Sequence, residues 1–298
     1  MSQTRCGFVA MLGAPNAGKS TLVNALVGAK VAIVSPKPQT TRSRIAAIAT
    51  EGTTQVVYVD LPGVFAPKRR LDRAMVDAAW RGVADADLTL LVVDAASPGE
   101  QAEAVRDELA RRGHKAVLVL NKIDIVDRVR LLGLAKAYND AFAFAATFMV
   151  SARTGDGVAD LRAHVVAAMP PGPWHYPEDQ LVDLPSRLLA AEITREQVFL
   201  QLHQELPYST LVDTESWTEQ PDGSVRIDQT ITVERDGQKR IVIGAGGSRI
   251  KEIGQRARAE LEALLDRRVH LFLNVKVAEG WAEKRGFYSA WGLDYDAR

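Results

Sequence analysis

The sequence is poor in several features that define whole classes of protein. Its 298 residues include one cysteine, Cys6, so an internal disulfide is excluded and a reducing compartment is indicated. No apolar run approaches the roughly 20 residues that a membrane-spanning helix needs. Residues 1–5 lack the apolar segment of a signal peptide. These absences lead us to expect a cytoplasmic protein.

The chain also lacks an excess of charge of either sign, since it has 37 basic and 37 acidic residues. A polyanionic partner must therefore meet a local basic patch. The histidines and the cysteine do not stand at metal-ligand spacing. Composition is that of a soluble globular protein, with 47% hydrophobic and 25% charged residues, and the length is sufficient for two domains.

Near the N-terminus the chain carries the pattern G-x-x-x-x-G-K-[ST], which is typical of a phosphate-binding loop. An apolar run at 8–12 precedes it and a helix-forming run at 21–27 follows it, and the motif requires this strand–loop–helix context. Lys19 is expected to reach the β- and γ-phosphates, and Ser20 to ligate Mg²⁺. The predicted phosphate-binding residues are Gly13, Ala14, Pro15, Asn16, Ala17, Gly18, Lys19, Ser20 and Thr21.

A loop rich in proline and threonine follows at residues 35–42. In a nucleotide switch, such a loop supplies a threonine to Mg²⁺ and the γ-phosphate when the triphosphate is bound. Thr40 and Thr41 are the candidates, and we favour Thr41, which directly precedes Arg42. By itself the segment is also compatible with an ordinary surface loop.

The second apolar strand, 55–59, ends in the sequence D-L-P-G. Asp60 is placed to hold the Mg²⁺ shell, and the Gly63 N–H can meet the γ-phosphate because no side chain is in the way. The aliphatic Val64 stands where several GTPases use a Gln to orient water, so we expect slow intrinsic hydrolysis. The predicted catalytic residues are Lys19, Thr41, Asp60 and Gly63, and the same segment adds Leu61, Pro62 and Val64 to the nucleotide site.

A later buried strand, 115–120, leads into the sequence N-K-I-D, which is typical of guanine recognition. The Asp124 carboxylate can accept both the N1–H and the exocyclic amino group of guanine, whereas adenine would leave it unpaired. Asn121 can bond the base and the phosphate loop, and the Ala152 N–H can meet guanine O6. The predicted base-binding residues are Asn121, Lys122, Ile123, Asp124, Ser151 and Ala152.

Buried strands alternate with helical segments through residue 169, which predicts a mainly parallel α/β sheet with the ligand at the carboxyl ends of its strands. The proline-rich stretch 170–177 marks a boundary. We therefore predict a nucleotide domain at 1–170, a linker at 171–183 and a second domain at 184–298. In the second domain, helix 184–206, strands 208–219 and 225–234, helix 250–266 and strand 269–277 follow the order of a KH domain.

The second domain carries a G-x-x-G sequence, the loop with which KH domains clamp the backbone of about four nucleotides. Arg249 and Lys251 place positive charge beside it, and Ile243 and Ile250 are expected to floor a groove. An ordinary glycine turn between helices is the alternative. The predicted RNA-binding residues are Ile243, Gly244, Ala245, Gly246, Gly247, Ser248, Arg249, Ile250 and Lys251.

The C-terminal segment 275–291 combines lysine and arginine with four aromatic residues. Such a combination can stack bases. A terminal helix packed on the KH sheet is the alternative, which we favour for Trp281. The aromatic residues are Trp281, Phe287, Tyr288 and Trp291.

Taken together, the motifs G-A-P-N-A-G-K-S, Q-T-T-R, D-L-P-G, N-K-I-D and V-S-A resemble in order and spacing those of the Era family, over nearly the whole chain. The resemblance implies a P-loop GTPase with a type II KH domain that uses GTP, GDP and Mg²⁺. It also implies binding to 16S rRNA, a role in 16S rRNA processing and 30S subunit assembly, and partial association with the cytoplasmic face of the cell membrane. We expect a monomer.

This chain departs from the family pattern at Leu61, where relatives often have Thr, and its G-x-x-G loop contains no Lys. Two other functions remain open from the sequence. One is a guanine-nucleotide-regulated RNA-binding or membrane-associated regulator with little turnover. The other is a tRNA-modifying GTPase, although the chain shows neither an extra catalytic domain nor a reactive cysteine of that class.

Overall fold

The computed structural model describes residues 3–35, 41, 44–202 and 210–297. They divide into two compact units. The first comprises the described residues of Met1–Val34, Thr41–Asp183 and Tyr288–Arg298, and the second those of Leu184–Phe287 together with Ser35. The sequence-based limits at residues 170 and 184 stay a prediction. The grouping of the last residues with the first unit is a feature that the sequence did not indicate.

The first unit is built on a seven-stranded sheet with strand order β6-β5-β4-β1-β3-β2-β7. Five neighbouring strands, in the order β6-β5-β4-β1-β3, pair in parallel, whereas β2 pairs antiparallel with both β3 and β7. This arrangement confirms the expected mainly parallel sheet. The strands are β1 (Arg5–Leu12), β2 (Ile45–Glu51), β3 (Thr54–Asp60), β4 (Leu88–Asp94), β5 (Val117–Asn121), β6 (Thr147–Val150) and β7 (Val182–Asp183).

Helices cover both faces of this sheet, because alternate side chains of each strand enter different cores. Val9 and Met11 pack on the side of α1 and α5, and Ala10 and Leu12 pack on the side of α2, α3 and α4. A strand that is buried on both faces is apolar throughout, which explains the uninterrupted apolar runs. The helices are α1 (Lys19–Val27), α2 (Arg70–Ala84), α3 (Gly99–Arg112), α4 (Arg128–Ala141) and α5 (Val158–Ala168).

The second unit places helices on a three-stranded sheet with order β10-β9-β8, in which β9 is parallel to β10 and antiparallel to β8. A turn at 220–223 joins β8 to β9, with Gly223 at φ 80°. Its elements are α6 (Ser186–Gln201), β8 (Thr210–Glu219), β9 (Val225–Val233), α7 (Asp236–Ile243), α8 (Ser248–Leu265) and β10 (Val269–Val277). A further helix, α9 (Arg285–Ala290), crosses the division between the units.

Two expectations for the second unit need correction. The long helix predicted from 184 to 206 begins at Ser186 and ends at Gln201, because Leu202 takes an extended backbone. The part of that prediction on 203–206 lies outside the described residues. Helix α7 was not predicted, since its eight residues include Gly237 and give too short a repeat to stand out. In the described part of the chain, no helix is long and apolar enough to cross a membrane.

Candidate functional site

The predicted phosphate loop connects β1 to α1 and depends on two glycines with positive φ. Gly13 has φ 153°, and a Cβ there would stand 2.3 Å from the Val92 carbonyl oxygen. Gly18 has φ 91°, and a Cβ there would stand 2.2 Å from Asn121 Nδ2. Asn121 Nδ2 uses this space to donate to the Ala17 carbonyl at 3.0 Å. The glycines therefore let the base-binding strand end approach the phosphate loop.

Lys19 is buried at the first position of α1, where its ammonium lies over the loop. Its Nζ donates to the carbonyls of Gly13 at 3.2 Å and Ala14 at 3.0 Å. Burial lowers the pKa of Lys19 to about 8, and the nearby Asp60 carboxylate opposes that change. Phosphate oxygens would favour the charged ammonium in the same way, so the side chain is poised for an anionic ligand.

The three predicted magnesium ligands lie together at the carboxyl end of β3. Ser20 Oγ donates to Asp60 Oδ2 at 2.6 Å, Thr41 Oγ1 donates to the same oxygen at 2.9 Å, and the two hydroxyls are 3.1 Å apart. Burial raises the pKa of Asp60, although the charge of Lys19 and the hydrogen bonds from these hydroxyls act to lower it. Asp60 Oδ1 is buried with no hydrogen-bond partner among the described residues. Hydroxyl and carboxylate oxygens in this arrangement fit a hard cation such as Mg²⁺. Thr40 lies outside the described residues.

Gly63 and Val64 follow β3 and pass close to the phosphate loop. A Cβ on Gly63 would stand 2.8 Å from the Pro15 nitrogen, so only glycine fits there without displacement. The Val64 N–H donates to the Gly13 carbonyl at 3.1 Å. The Val64 side chain is buried in the core with Leu61 and Trp80. This position therefore holds the segment in place and presents no polar group to a nucleotide.

The residues predicted to bind the base come together from the ends of β5 and β6. Asn121 Oδ1 accepts from the Ala152 N–H at 3.0 Å, and Asp124 Oδ1 accepts from Ser151 Oγ at 2.6 Å. The Ser151 hydrogen bond lowers the pKa of Asp124, and Arg153 acts in the same direction. Asp124 is thus held as a carboxylate, the form that accepts two hydrogen bonds from guanine.

Two residues of this region were not predicted from the sequence. Asp94 ends β4 and accepts from Lys122 Nζ at 2.6 Å, while Lys122 itself has φ 67°. An acidic residue at the carboxyl end of a buried strand was the available signal for Asp94. Arg153 pairs with Asp124 Oδ2 at 2.5 Å, and nothing in the pattern of the sequence marked it.

The G-x-x-G sequence forms the turn between α7 and α8. Gly244 has φ 75°, and a Cβ there would meet Arg249 Cβ at 2.8 Å, whereas Cβ atoms on Gly246 and Gly247 would project into open space. Ile243 and Ile250 are partly buried and pack against the core of the second unit. The turn therefore exposes backbone at the N-terminus of α8, a geometry that suits a phosphate.

The aromatic residues near the C-terminus are buried and not available to stack bases. Trp281 packs edge-on against Phe287 at 5.0 Å between ring centroids. Tyr288 is fully buried, Trp291 is 4% exposed, and Tyr288 packs against Tyr295. The base-stacking hypothesis for this segment is therefore wrong, because these rings serve as core.

Family models match both parts of the chain. A model described as a 50S ribosome-binding GTPase matches residues 8–122, and a KH domain model matches residues 205–282. GTPase Era of Bradyrhizobium sp. strain BTAi1 is 56% identical over 295 residues, covering 99% of this chain and 96% of that protein. GTPase Era of Caulobacter vibrioides strain NA1000 is 55% identical over 310 residues, covering 99% and 98%.

Solved structures give the same likeness in three dimensions. Era in complex with MgGDPNP and nucleotides 1506–1542 of 16S ribosomal RNA matches with a TM-score of 0.92 and 34% identity, covering 97% of this chain and 99% of that one. A variant of Aquifex aeolicus Era bound to GDP and AlF4⁻ matches with the same TM-score, identity and coverage. The predicted fold class, a P-loop GTPase domain followed by a KH domain, is confirmed.

Proposed function

This chain belongs to the Era family of GTPases, and we propose that its KH domain binds 16S rRNA and that the protein acts in 16S rRNA processing and 30S subunit biogenesis. The observation that carries the proposal is the exposed G-x-x-G turn at the N-terminus of α8. Arg249 and Lys251 adjoin this turn, and neither makes an ion pair among the described residues. The matched Era structure at 34% identity contains nucleotides 1506–1542 of 16S ribosomal RNA, which supports the same ligand class.

The same proposal includes Mg²⁺ as the cofactor of GTP hydrolysis. Ser20, Thr41 and Asp60 would hold the ion, and the partnerless Asp60 oxygen is the observation that favours a cation there. The ion would neutralise charge between the β- and γ-phosphates. Lys19 and the loop N–H groups would bind and orient the phosphates.

Slow intrinsic hydrolysis is a further part of the proposal, because Val64 offers no group that could orient the attacking water. Its side chain is buried in the core, so Val64→Gln would have to bury an amide. Burying an unpaired amide costs about 1–3 kcal/mol. We expect Val64→Gln to lower stability without raising the single-turnover hydrolysis rate. A rise of the rate to that of an activated GTPase would contradict this expectation.

We infer that GTP orders the Thr41 loop and the segment after Gly63, and that this ordering changes the RNA affinity of the second unit. Thr41 already reaches the cluster with Ser20 and Asp60, and Val64 is bonded to Gly13, so both segments are tied to the phosphate loop. A γ-phosphate would therefore act on both segments at once.

The decisive experiment measures binding of a 16S rRNA fragment, nucleotides 1506–1542, to the full chain with a GTP analogue, with GDP and without nucleotide. We expect different affinities in the three states. Equal affinities would refute the coupling, and absence of binding in all three states would refute the proposed RNA ligand. Gly246 has φ 58° and open space where a Cβ would stand, so Gly246→Asp places a carboxylate in the turn and should abolish binding. Gly280→Asp is the matched control outside the turn, because Gly280 has the same φ and nothing within 4 Å of its Cβ position.

Peripheral association with the cytoplasmic face of the membrane, a cytoplasmic location and a monomeric state are secondary proposals. The first rests on the resemblance alone, and the second rests on the single cysteine and the missing apolar segments of the sequence. Flotation of the purified chain with anionic vesicles and analytical ultracentrifugation test them. A tRNA-modifying activity has no structural observation in its favour.

A further inference from the structure

The first half of the segment 170–183 is fastened to the sheet of the first unit by a buried amide. Gln55 lies in β3 and its side chain is fully buried. Its Nε2 donates to the Tyr176 carbonyl at 2.9 Å, and its Oε1 accepts from the N–H groups of His175 and Tyr176 at 3.0 and 3.1 Å. Because breaking these bonds would leave a buried amide unpaired, this half of the segment is firmly fixed.

The second half of the segment is held more lightly. It returns to the sheet as β7, a strand of two residues that pairs with β2 at the edge of the sheet. The Leu181 carbonyl accepts from the Ile48 N–H at 2.8 Å, and the Asp183 carboxylate accepts from the Tyr176 hydroxyl at 2.8 Å. Leu181 is 48% exposed and Asp183 is exposed. A strand this short, with little buried surface, opens at a low cost in free energy.

Strand β7 lies beside the cluster of predicted magnesium ligands. Ile45, the first residue of β2, pairs with Asp60 of β3, and the next residue, Ala46, pairs with Asp183. Since β2 stands between β3 and β7 and neighbouring strands are about 4.8 Å apart, β7 is about 10 Å from β3. Asp183 is also the last residue of the first unit before the chain enters the second. A change at the start of β2 therefore reaches the strand from which the second unit begins.

The position of Thr41 gives this change a direction. Thr41 stands four residues before β2 and donates to Asp60 at 2.9 Å, in a structure in which β7 is paired with β2. Loss of the γ-phosphate would release Thr41 and remove this restraint from the start of β2. Because β7 pairs with the first residues of β2, its pairing would weaken at the same time.

We propose that β7 is a latch, which pairs with β2 when GTP holds Thr41 and leaves β2 when GDP is bound. The proposal rests on the proposed coupling between nucleotide and RNA affinity, and it names the element that carries the coupling. Tyr176 is a positioning residue of the latch, because Gln55 fixes its backbone and its hydroxyl holds Asp183. Burial and the Asp183 carboxylate raise the pKa of Tyr176 to about 12, so the hydroxyl keeps its proton at neutral pH.

The direct test is amide hydrogen exchange at Ile48 in the full chain, with a non-hydrolysable GTP analogue and with GDP. Because the Ile48 N–H donates to Leu181, we expect about tenfold faster exchange with GDP. The Leu118 N–H is the control, since it donates to the Ala146 carbonyl at 2.9 Å at the other side of the sheet and should exchange equally in both states. Equal protection of Ile48 in both states would overturn the proposal.

A reversible disulfide provides a second test, because it locks the latch closed. Ala47 and Val182 are paired, and since the next pair along, Ile48 and Leu181, is hydrogen-bonded, theirs is the close pair with Cα atoms about 4.5 Å apart. The oxidised Ala47→Cys/Val182→Cys chain with GDP should bind the 16S rRNA fragment as the unmodified chain does with the GTP analogue. Reduction should restore the GDP value. An unchanged nucleotide response after oxidation would overturn the proposal.

Tyr176→Phe should have the opposite effect, because it frees Asp183 and favours the open latch. With the GTP analogue, RNA affinity should move towards the GDP value, while GTP affinity stays the same. Tyr138→Phe is the matched control, since the Tyr138 hydroxyl is buried with no hydrogen-bond partner among the described residues. A nucleotide response that survives both the disulfide and Tyr176→Phe refutes the latch alone. Equal RNA affinity of the unmodified chain in both states refutes the proposed coupling, and exchange at Ile48 then decides the latch by itself.

Discussion

At position 18, the absence of a single methyl group decides whether two parts of the nucleotide site can meet. The space next to Gly18 is filled by the Asn121 amide, which bonds the Ala17 carbonyl. A side chain there would push Asn121 away and would also have to adopt φ 91°. The phosphate loop and the base-binding strand are thus joined through a glycine.

We predict that Gly18→Ala lowers GTP affinity by about 100-fold, or about 2.7 kcal/mol. The control is Gly28→Ala at the other end of α1, where φ is also positive, at 79°, but nothing lies within 4 Å. It should cost about 1 kcal/mol of stability through backbone strain and leave GTP affinity unchanged. Isothermal titration and thermal unfolding measure the two effects, and equal loss of GTP affinity in both variants would contradict the role given to Asn121.

A second prediction at this scale concerns the choice of base. Asp124→Asn replaces one acceptor oxygen by an NH2 group, and the lost charge-assisted hydrogen bond costs about 1.5–3 kcal/mol, so GTP should bind about 10–150-fold more weakly. Xanthosine triphosphate, which has a carbonyl in place of the amino group, should gain affinity. Asp127→Asn makes the same chemical change three residues away and should alter neither. Unchanged GTP affinity in the first variant would refute base recognition by Asp124.

At the scale of the element, the N-terminus of α4 is fixed by local chemistry, whereas the C-terminus of α6 has no local signal. Asp127 caps α4 by accepting from the Arg130 N–H at 2.9 Å, which is a local signal visible in the sequence. The end of α6 at Gln201 has no comparable signal, since the periodic pattern continues to residue 206 and only the backbone of Leu202 ends the helix. Helix ends without a cap or a glycine are therefore poorly predicted.

The cap at Asp127 supports a specific prediction. Asp127→Ala removes the acceptor and should lower the free energy of unfolding by about 1 kcal/mol. Asp127→Asn should retain most of it, because the amide oxygen still accepts the bond. Denaturant unfolding checks both variants, and a loss of equal size in each would show that charge, and not the cap, stabilises this helix.

At the scale of the whole molecule, the chain folds as two units whose membership does not follow the order of the sequence. The residues of Tyr288–Arg298 belong to the first unit, where Arg70 of α2 donates to the Tyr295 carbonyl and its guanidinium lies 4.3 Å from the Tyr295 ring centroid. Tyr295, and Tyr288 packed against it, therefore contribute to the stability of the GTPase unit.

We predict that Trp291→Ala lowers stability by about 3–5 kcal/mol, as for other buried tryptophans, while the affinity for the RNA fragment remains unchanged. Calorimetry of the full chain is run with and without GDP. Because GDP raises the unfolding midpoint of the unit that binds it, the comparison identifies the unit whose unfolding transition the substitution shifts. A loss of RNA affinity at unchanged stability would reinstate base stacking by this segment.

Much of the fold and of the candidate site could be predicted, because their determinants are local. The strand–loop–helix at Gly13–Ser20, the N-K-I-D turn and the G-x-x-G turn each depend on a few adjacent residues with special backbone or side-chain chemistry. Strands that are apolar throughout and alternate with helices also predicted a mainly parallel sheet. Helix α7 was missed because its eight residues are too few to show a helical period.

By itself, then, the sequence determined which nucleotide chemistry the chain carries and the order of its elements, because spacing along the backbone sets both. The tertiary structure alone decided that Ser20, Thr41 and Asp60 meet within 3.1 Å and that Asp94 holds Lys122. It also decided that Val64 is buried and that Tyr288, Trp291 and Tyr295 belong to the first unit. These contacts depend on packing between segments far apart in the chain, for which no local pattern exists.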